Sequence, residues 1–317
     1  MQRANLVHGG LAIFAISLAL VAWQKPTANS NNSDIKIISG EPEQTQEINW
    51  VDDQASISIK RHDNSIKVAI TKKPKPAATQ EQKTTTEVYP ANEKAQELFS
   101  ALVPFSAARD LGIATDAELV KFGLVDPKTK LSLHIDNKQH DIQIGNSAFG
   151  SGSTYVKAAD KHVYLVKTSL FNNFKGVGNG LIERRLIIAK PDTIEKVIIY
   201  SDSKKRELIQ HFAENRKKTF FADPAEPETQ LKQATNWLDR LMQTRINGFA
   251  DQVPATLPAL RVEWFDDKKS LGNISIWAAE NNSAIAKDSD YDAPVKISKI
   301  TADSLIKDIS SVLNESR

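Results

Sequence analysis

Residues 144–166, IGNSAFGSGSTYVKAADKHVYLV, hold three glycines, three serines and a threonine, the residue types that build a phosphate-cradling loop. Such a loop needs glycines so that backbone N–H groups converge on an anion, and it needs a helix N-terminus directly behind it. Behind Gly145, Gly150 and Gly152 come TYVK and VYLV, β-branched and aromatic runs that read as strands around the turn AADK. The chain also lacks Gly-Lys-Ser/Thr, a spaced GxGxxG and the GxSxG elbow that would expose a nucleophilic serine. The expectation is a glycine-rich hairpin connection, not a nucleotide site.

The remaining chemistry-bearing residues are scattered. His8, His62, His134, His140, His162 and His211 never adopt HxH or HExxH spacing, which would bring two ring nitrogens to one metal. Their densest cluster, HIDNKQHD from His134 to Asp141, reads as a hairpin turn with outward polar positions. Asp52-Asp53 and Asp266-Asp267 sit beside strands, where turn chemistry accounts for them. General acid–base work needs carboxyls facing each other across a cleft. The basic runs KKPK, SKKR and NRKK fall in loops and read as solvated surface. Trp264 and Trp277 alternate with apolar residues and read as sheet core. No catalytic, cofactor-binding or metal-ligating residue is assigned, and no cofactor is expected.

Composition narrows the field further. With 317 residues, 40% hydrophobic and 25% charged, the bulk of the chain folds into about two domains. The 41 basic and 39 acidic residues leave a net charge of +2, too small a field to draw the chain to nucleic acid. The absence of cysteine excludes disulfides, zinc-thiolate sites and a thiol nucleophile.

The N-terminus carries an address. Residues 6–23, LVHGGLAIFAISLALVAW, contain no formal charge and would form a helix of about 27 Å, long enough to cross a thin bilayer. Arg3 precedes it and Lys25 follows, which favours a cytoplasmic N-terminus and an exported body, with Trp23 at the interface. The reading is an uncleaved transmembrane anchor, residues 1–23. Two others stay open: a cleaved signal peptide, disfavoured by Leu20 at the small-residue position, and a buried core helix.

Residues 24–47 are rich in Asn, Ser, Gln, Thr and Pro and read as a flexible tether. A second such tract, residues 72–90, reads as a loop or an extended edge segment. The rest is organised as an internal repeat. SISIK and SIKVAI open one copy, and KVIIYS and ELIQH open the other. A helix follows each, with Leu98, Leu102 and Phe105 on one face of the first and Leu231, Leu238, Leu241 and Met242 on the second. Pro104 should kink or end the first. Then come the strand pairs KLSLHI with HDIQI and LRVEWF with LGNISIW, and each copy closes on a strand leading into a short helix. The glycines of GVGNG, residues 176–180, mark the turn between copies. The expected fold is α+β: a transmembrane helix, then two tandem repeats, residues 48–178 and 179–317, each an antiparallel sheet packed on helices.

With the order of these pieces in place, the chain resembles the domain of unknown function 4340 family from about Ile48 to its C-terminus. The resemblance is carried by Gly123-Leu124-Val125-Asp126-Pro127 before a strand, by Tyr164-Leu165-Val166 before a short helix, and by the Arg184-Arg185-Leu186 step. It implies a bacterial protein anchored by one N-terminal helix and found with gliding-motility-type ABC-transporter components, and it brings no catalytic residues. The reading that follows is a non-enzymatic, single-pass inner-membrane protein. Its body lies in the periplasm and serves as an adaptor in an ABC-transporter-type assembly. A small-ligand module with a cleft between the repeats, or an exported hydrolase, are the alternatives.

Overall fold

The computed structural model describes residues 34–62, 65–74, 85–215, 218–267, 269–278 and 283–315. The apolar segment 6–23 and the tether up to residue 33 lie outside them. Among the described residues, no helix is long and apolar enough to cross a membrane.

The first part of the chain forms strands β1 (Ile35–Ile38), β2 (Thr45–Val51), β3 (Ala55–His62), β4 (Ser65–Lys72) and β5 (Thr86–Pro90), then helix α1 (Glu93–Leu102). Strands β6 (Phe105–Ala107) and β7 (Arg109–Ile113), helix α2 (Asp116–Phe122), and strands β8 (Thr129–Ile135), β9 (Lys138–Ala148), β10 (Ser153–Lys157) and β11 (His162–Lys167) follow. The second part holds β12 (Lys196–Ser201), β13 (Lys204–His211), β14 (Phe220–Asp223), β15 (Glu226–Gln230), helix α3 (Lys232–Gln243) and β16 (Ile246–Phe249). It ends with β17 (Leu260–Asp266), β18 (Lys269–Ile276), β19 (Ser283–Asp288), β20 (Val295–Ser298) and helix α4 (Lys299–Asn314).

Two nine-stranded sheets dominate, and helices are few. One sheet runs β5-β4-β3-β2-β8-β9-β10-β11-β7, and the other runs β15-β14-β13-β12-β17-β18-β19-β20-β16. Rank for rank the orders coincide, with β2 in the place of β12 and β8 in that of β17. The sequence match of SISIK with KVIIYS is therefore one strand out of step: KVIIYS is β12, and its counterpart is TQEINWV, β2. That strand straddles the boundary drawn at residue 48, with residues 45–47 in the polar tract and Ile48 to Val51 beyond it. Ile48 and Trp50 are buried two residues apart, but Gln46, in phase with them, is exposed and Thr45, out of phase, is buried, so the alternation covers only the second half of the strand. The tract is thus structured from Ile35 onward, because β1 pairs with β6. Residues 86–90 do form an extended edge strand.

Pro104 ends α1, and Phe105 belongs to β6, not to the helix. Phe105 is still fully buried, as are Leu98 and Leu102. In α3, Leu238 and Leu241 are buried beside Trp237, whose indole Nε1 donates to the Leu305 carbonyl oxygen of α4 at 2.9 Å. Thr115 and Glu118 form a capping box ahead of α2, and Gly123 stops that helix in the left-handed region. By compactness the described residues divide into 34–45 with 100–172, and 46–99 with 173–315.

Candidate functional site

The second compact unit contains a polar cleft of ≈ 570 Å³. Arg185 enters it from the segment that precedes β12, Gln210 from β13, Asp239 from α3 and Arg245 from the step between α3 and β16; Asp192 and Glu214 complete its charged lining. Gln210 Nε2 donates to the Pro191 carbonyl at 2.7 Å, while its Oε1 is buried with no hydrogen-bond partner among the described residues. A guanidinium presents a planar fork of donors that suits a carboxylate or phosphate. Two of them, together with three carboxylates, give a lining of mixed charge, suited to a ligand that carries both signs.

Arg185 is held by its own segment. Glu183 accepts from the backbone N–H groups of Arg184 and Arg185, both at 2.8 Å, and from Arg185 Nη2 at 2.9 Å. Burial raises the Glu183 carboxyl, but the hydrogen bonds and charge of Arg185 outweigh it and leave its pKa below the usual range. The same segment closes two sheet edges. Ala91, just past β5, bridges Ile182, and Arg185 bridges Arg245 beside β16. Glu183 N–H donates to the Pro90 carbonyl and Ile246 N–H to the Arg184 carbonyl, both at 2.8 Å.

Tyr291 locks this segment from the other side. Its phenol donates to the Arg185 carbonyl at 2.6 Å, and burial followed by the charge of Glu183 raises its pKa. Tyr291 stands in the run Asp288-Ser289-Asp290-Tyr291-Asp292, where Asp288 is 1% exposed. Burial pushes the Asp288 carboxyl up to about 8, which favours its neutral form in the folded protein. Its Oδ1 accepts from Asp290 N–H at 2.7 Å. Lys287 Nζ donates to the Tyr291 and Asp292 carbonyls at 2.7 and 3.1 Å, filling the position a cation would take in an acidic loop.

Arg185 belongs to the Arg184-Arg185-Leu186 step already singled out in the sequence; the other candidates fall elsewhere. The glycine-rich stretch is the tip of the β9–β10 hairpin, with Gly150 and Gly152 at φ of 70° and 62°. His134 and His140 flank the β8–β9 turn, where Asp136 and Asn137 take positive φ. Trp264 and Trp277 are buried. Among the described residues no three His, Asp or Glu side chains are placed to share a metal. Glu183, Gln210, Arg245 and Tyr291 carry no spacing that reveals them, and only the alternating aspartates of residues 288–292 offered a signal.

Fold and cleft together define a protein of two topologically matched antiparallel sheets with a polar pocket where the segment between them is pinned. The family described as Domain of unknown function (DUF4340) matches residues 86–260, and the chain belongs to that family. The matched span runs from β5 to the first residue of β17, narrower than the resemblance from Ile48 onward, and contains Gly123-Leu124, Tyr164-Leu165-Val166 and Arg184-Arg185-Leu186. No curated protein matches the chain.

Proposed function

We propose that the chain is a non-enzymatic, single-pass protein of the bacterial inner membrane whose tandem repeats, residues 48–178 and 179–317, lie outside the cytoplasm and join an ABC-transporter-type assembly. The observation that carries the adaptor role is the outer edge of β7. Three of the four outermost strands of the two large sheets are guarded. Residues 181–183 reach β5 and residues 184–186 reach β16, while β15 carries Pro227 and two glutamates. β7, with Leu111 and Ile113 exposed, has no strand on its outer side among the described residues. Arg109, Asp110 and a bulge guard its start, and the Gly112 N–H is held by Asp110 Oδ1, so the edge we propose for an extended segment of a partner protein is the stretch around Leu111 and Ile113.

A photo-cross-linking amino acid at Leu111 of the full-length protein, in its native membranes, tests this. Adducts to a transporter subunit from position 111, lost in Ile113→Pro and not formed from the exposed control position Leu257, are expected. Adduct-free protein at position 111 overturns the role of this edge. The second reading, a small-ligand module, is favoured by the Arg185–Gln210–Arg245 cleft, and ligand-dependent melting that is lost in Arg245→Ala would support it.

A further inference from the structure

Phe149 is 106% exposed at the tip of the β9–β10 hairpin. The last rung below it pairs Ala148 with Ser153, and a Cβ added at Gly150 or Gly152 would meet nothing within 4 Å, so the tip projects clear of the body. A single exposed hydrophobe is ordinary. This one stands in unusual surroundings. From Ile142 to Val156 no side chain carries a formal charge, in a chain that is 25% charged. Leu124 packs against Gly145 in the strand that leads to the tip, and the adjoining Val125 and Val120 are also exposed.

The position of the tip relative to the start of the described chain matters more. Asp34 lines a small cleft with Lys167 and Leu170. Lys167 pairs with Ser153, and Thr168 N–H donates to the Gly152 carbonyl at 3.0 Å. The chain therefore enters the body at the same end of β10 and β11 that carries the Phe149 tip. Residues 24–33 can span at most about 35 Å from the apolar segment that ends at Trp23.

We infer that the Phe149 tip is a lipid-contact site, inserted in the interface of the bilayer that holds the N-terminal segment, which orients the body on the membrane. The inference rests on the membrane-anchor reading above. One aromatic ring binds a bilayer feebly by itself, but a tether turns the contact into an intramolecular one and raises its occupancy without further surface.

The chain has no cysteine, so Phe149→Cys and Leu257→Cys each give the full-length protein one thiol for an environment-sensitive dye. Leu257, 92% exposed, is the control. In vesicles of phosphatidylethanolamine and phosphatidylglycerol, the dye at 149 should shift to the blue and be quenched several-fold more by headgroup-proximal lipid nitroxides than the dye at 257. Because a dye is itself apolar, Ser151→Cys is labelled in the Phe149 and Phe149→Ser backgrounds, and the shift should vanish in the second. Equal, water-like behaviour at 149 and 257 in protein that floats with the vesicles overturns this inference and leaves the anchor standing. A blue shift that appears only when transporter subunits are added assigns the tip to a protein surface and also overturns it. Protein that fails to float with the vesicles sinks both readings.

Discussion

β7 and β16 hold the same rank in the two sheets, yet they meet different fates. Each pairs on its inner side, β7 with β11 and β16 with β20. Ile113 lies opposite the first residue of β11 and Phe249 opposite the first residue of β20, so they occupy equivalent rungs. Ile113 is 73% exposed. Phe249 packs its ring 4.7 Å from Tyr89 and 6.4 Å from Tyr291. The cause lies in the neighbouring turns. Between β10 and β11 the turn is short and Asp160 accepts from the Tyr164 phenol at 2.6 Å, keeping the interaction local. Between β19 and β20 the turn is longer, buries Asp288 and sends Tyr291 to the segment that covers β16. Equal topology thus leaves one edge sealed by its own chain and the other without a covering strand or segment among the described residues.

The largest expected effect comes from Asp288, which supports the sealed edge at a cost. The native state keeps a proton that the unfolded chain releases near the ordinary aspartate value, so stability falls as pH rises from about 4 to about 8. Asp288→Asn retains an acceptor for Asp290 N–H without that cost. Its melting temperature should exceed that of the parent, with a gain that grows up to pH 8 and reaches on the order of 3–5 kcal/mol there. A gain independent of pH would mean that the carboxyl is ionised in the folded protein.

Next comes the direct contrast between equivalent rungs. Phe249→Ala removes a ring held between two tyrosines and should destabilise by about 2–3 kcal/mol, whereas Ile113→Ala should stay within about 0.5 kcal/mol. Denaturant melts of the two variants provide the comparison. Similar losses at both positions would show that the edge of β7 is covered too.

Much of this architecture is legible in the sequence, and the rest is hidden for physical reasons. Strong period-two runs such as LSLHI and RVEWF, and helix faces carrying Leu98 or Leu238, declare themselves because burial and spacing agree. β2 does not, since polar Gln46 stands in phase with Ile48 and Trp50 and leaves only two apolar residues to mark the alternation. Helix α2 had a readable start in Thr115-Asp-Ala-Glu118 and a readable stop in Gly123, although its exposed faces left no apolar stripe. The Arg184-Arg185-Leu186 step stood out by resemblance, but the pairing of the segment 181–187 did not, because its partners are backbone groups far away in sequence, and backbone groups carry no residue type. Asp288 looks like any turn aspartate until its burial is seen.

A smaller effect is expected at Glu183, which holds that segment in shape. Glu183→Gln loses the charge-assisted bond to Arg185 and should cost about 1–2 kcal/mol at pH 7. The folded pKa is depressed, so the parent's advantage is complete above the ordinary glutamate value and disappears as pH falls through the lower, folded value. Parent and variant should therefore melt together in sufficiently acidic buffer. A difference that survives there would assign the loss to packing instead of charge.

The smallest effect on stability is expected at the open edge, and there its smallness is what gives the test its force. Ile113→Lys adds a charge to an exposed side chain at the apolar end of β7, a change that natural sheets use to block pairing with other chains. The fold should not register it, because Ile113 contributes little burial; a melting temperature within error of the parent is expected. The partner should register it, because a strand laid along β7 would have to desolvate that ammonium. Cross-linking from position 111 should therefore fall sharply in a protein whose stability is unchanged. If cross-linking persists in the Ile113→Lys variant, the partner does not lie along this edge. If instead Ile113→Lys unfolds the protein, the exposure of β7 is wrong, and with it the contrast between β7 and β16.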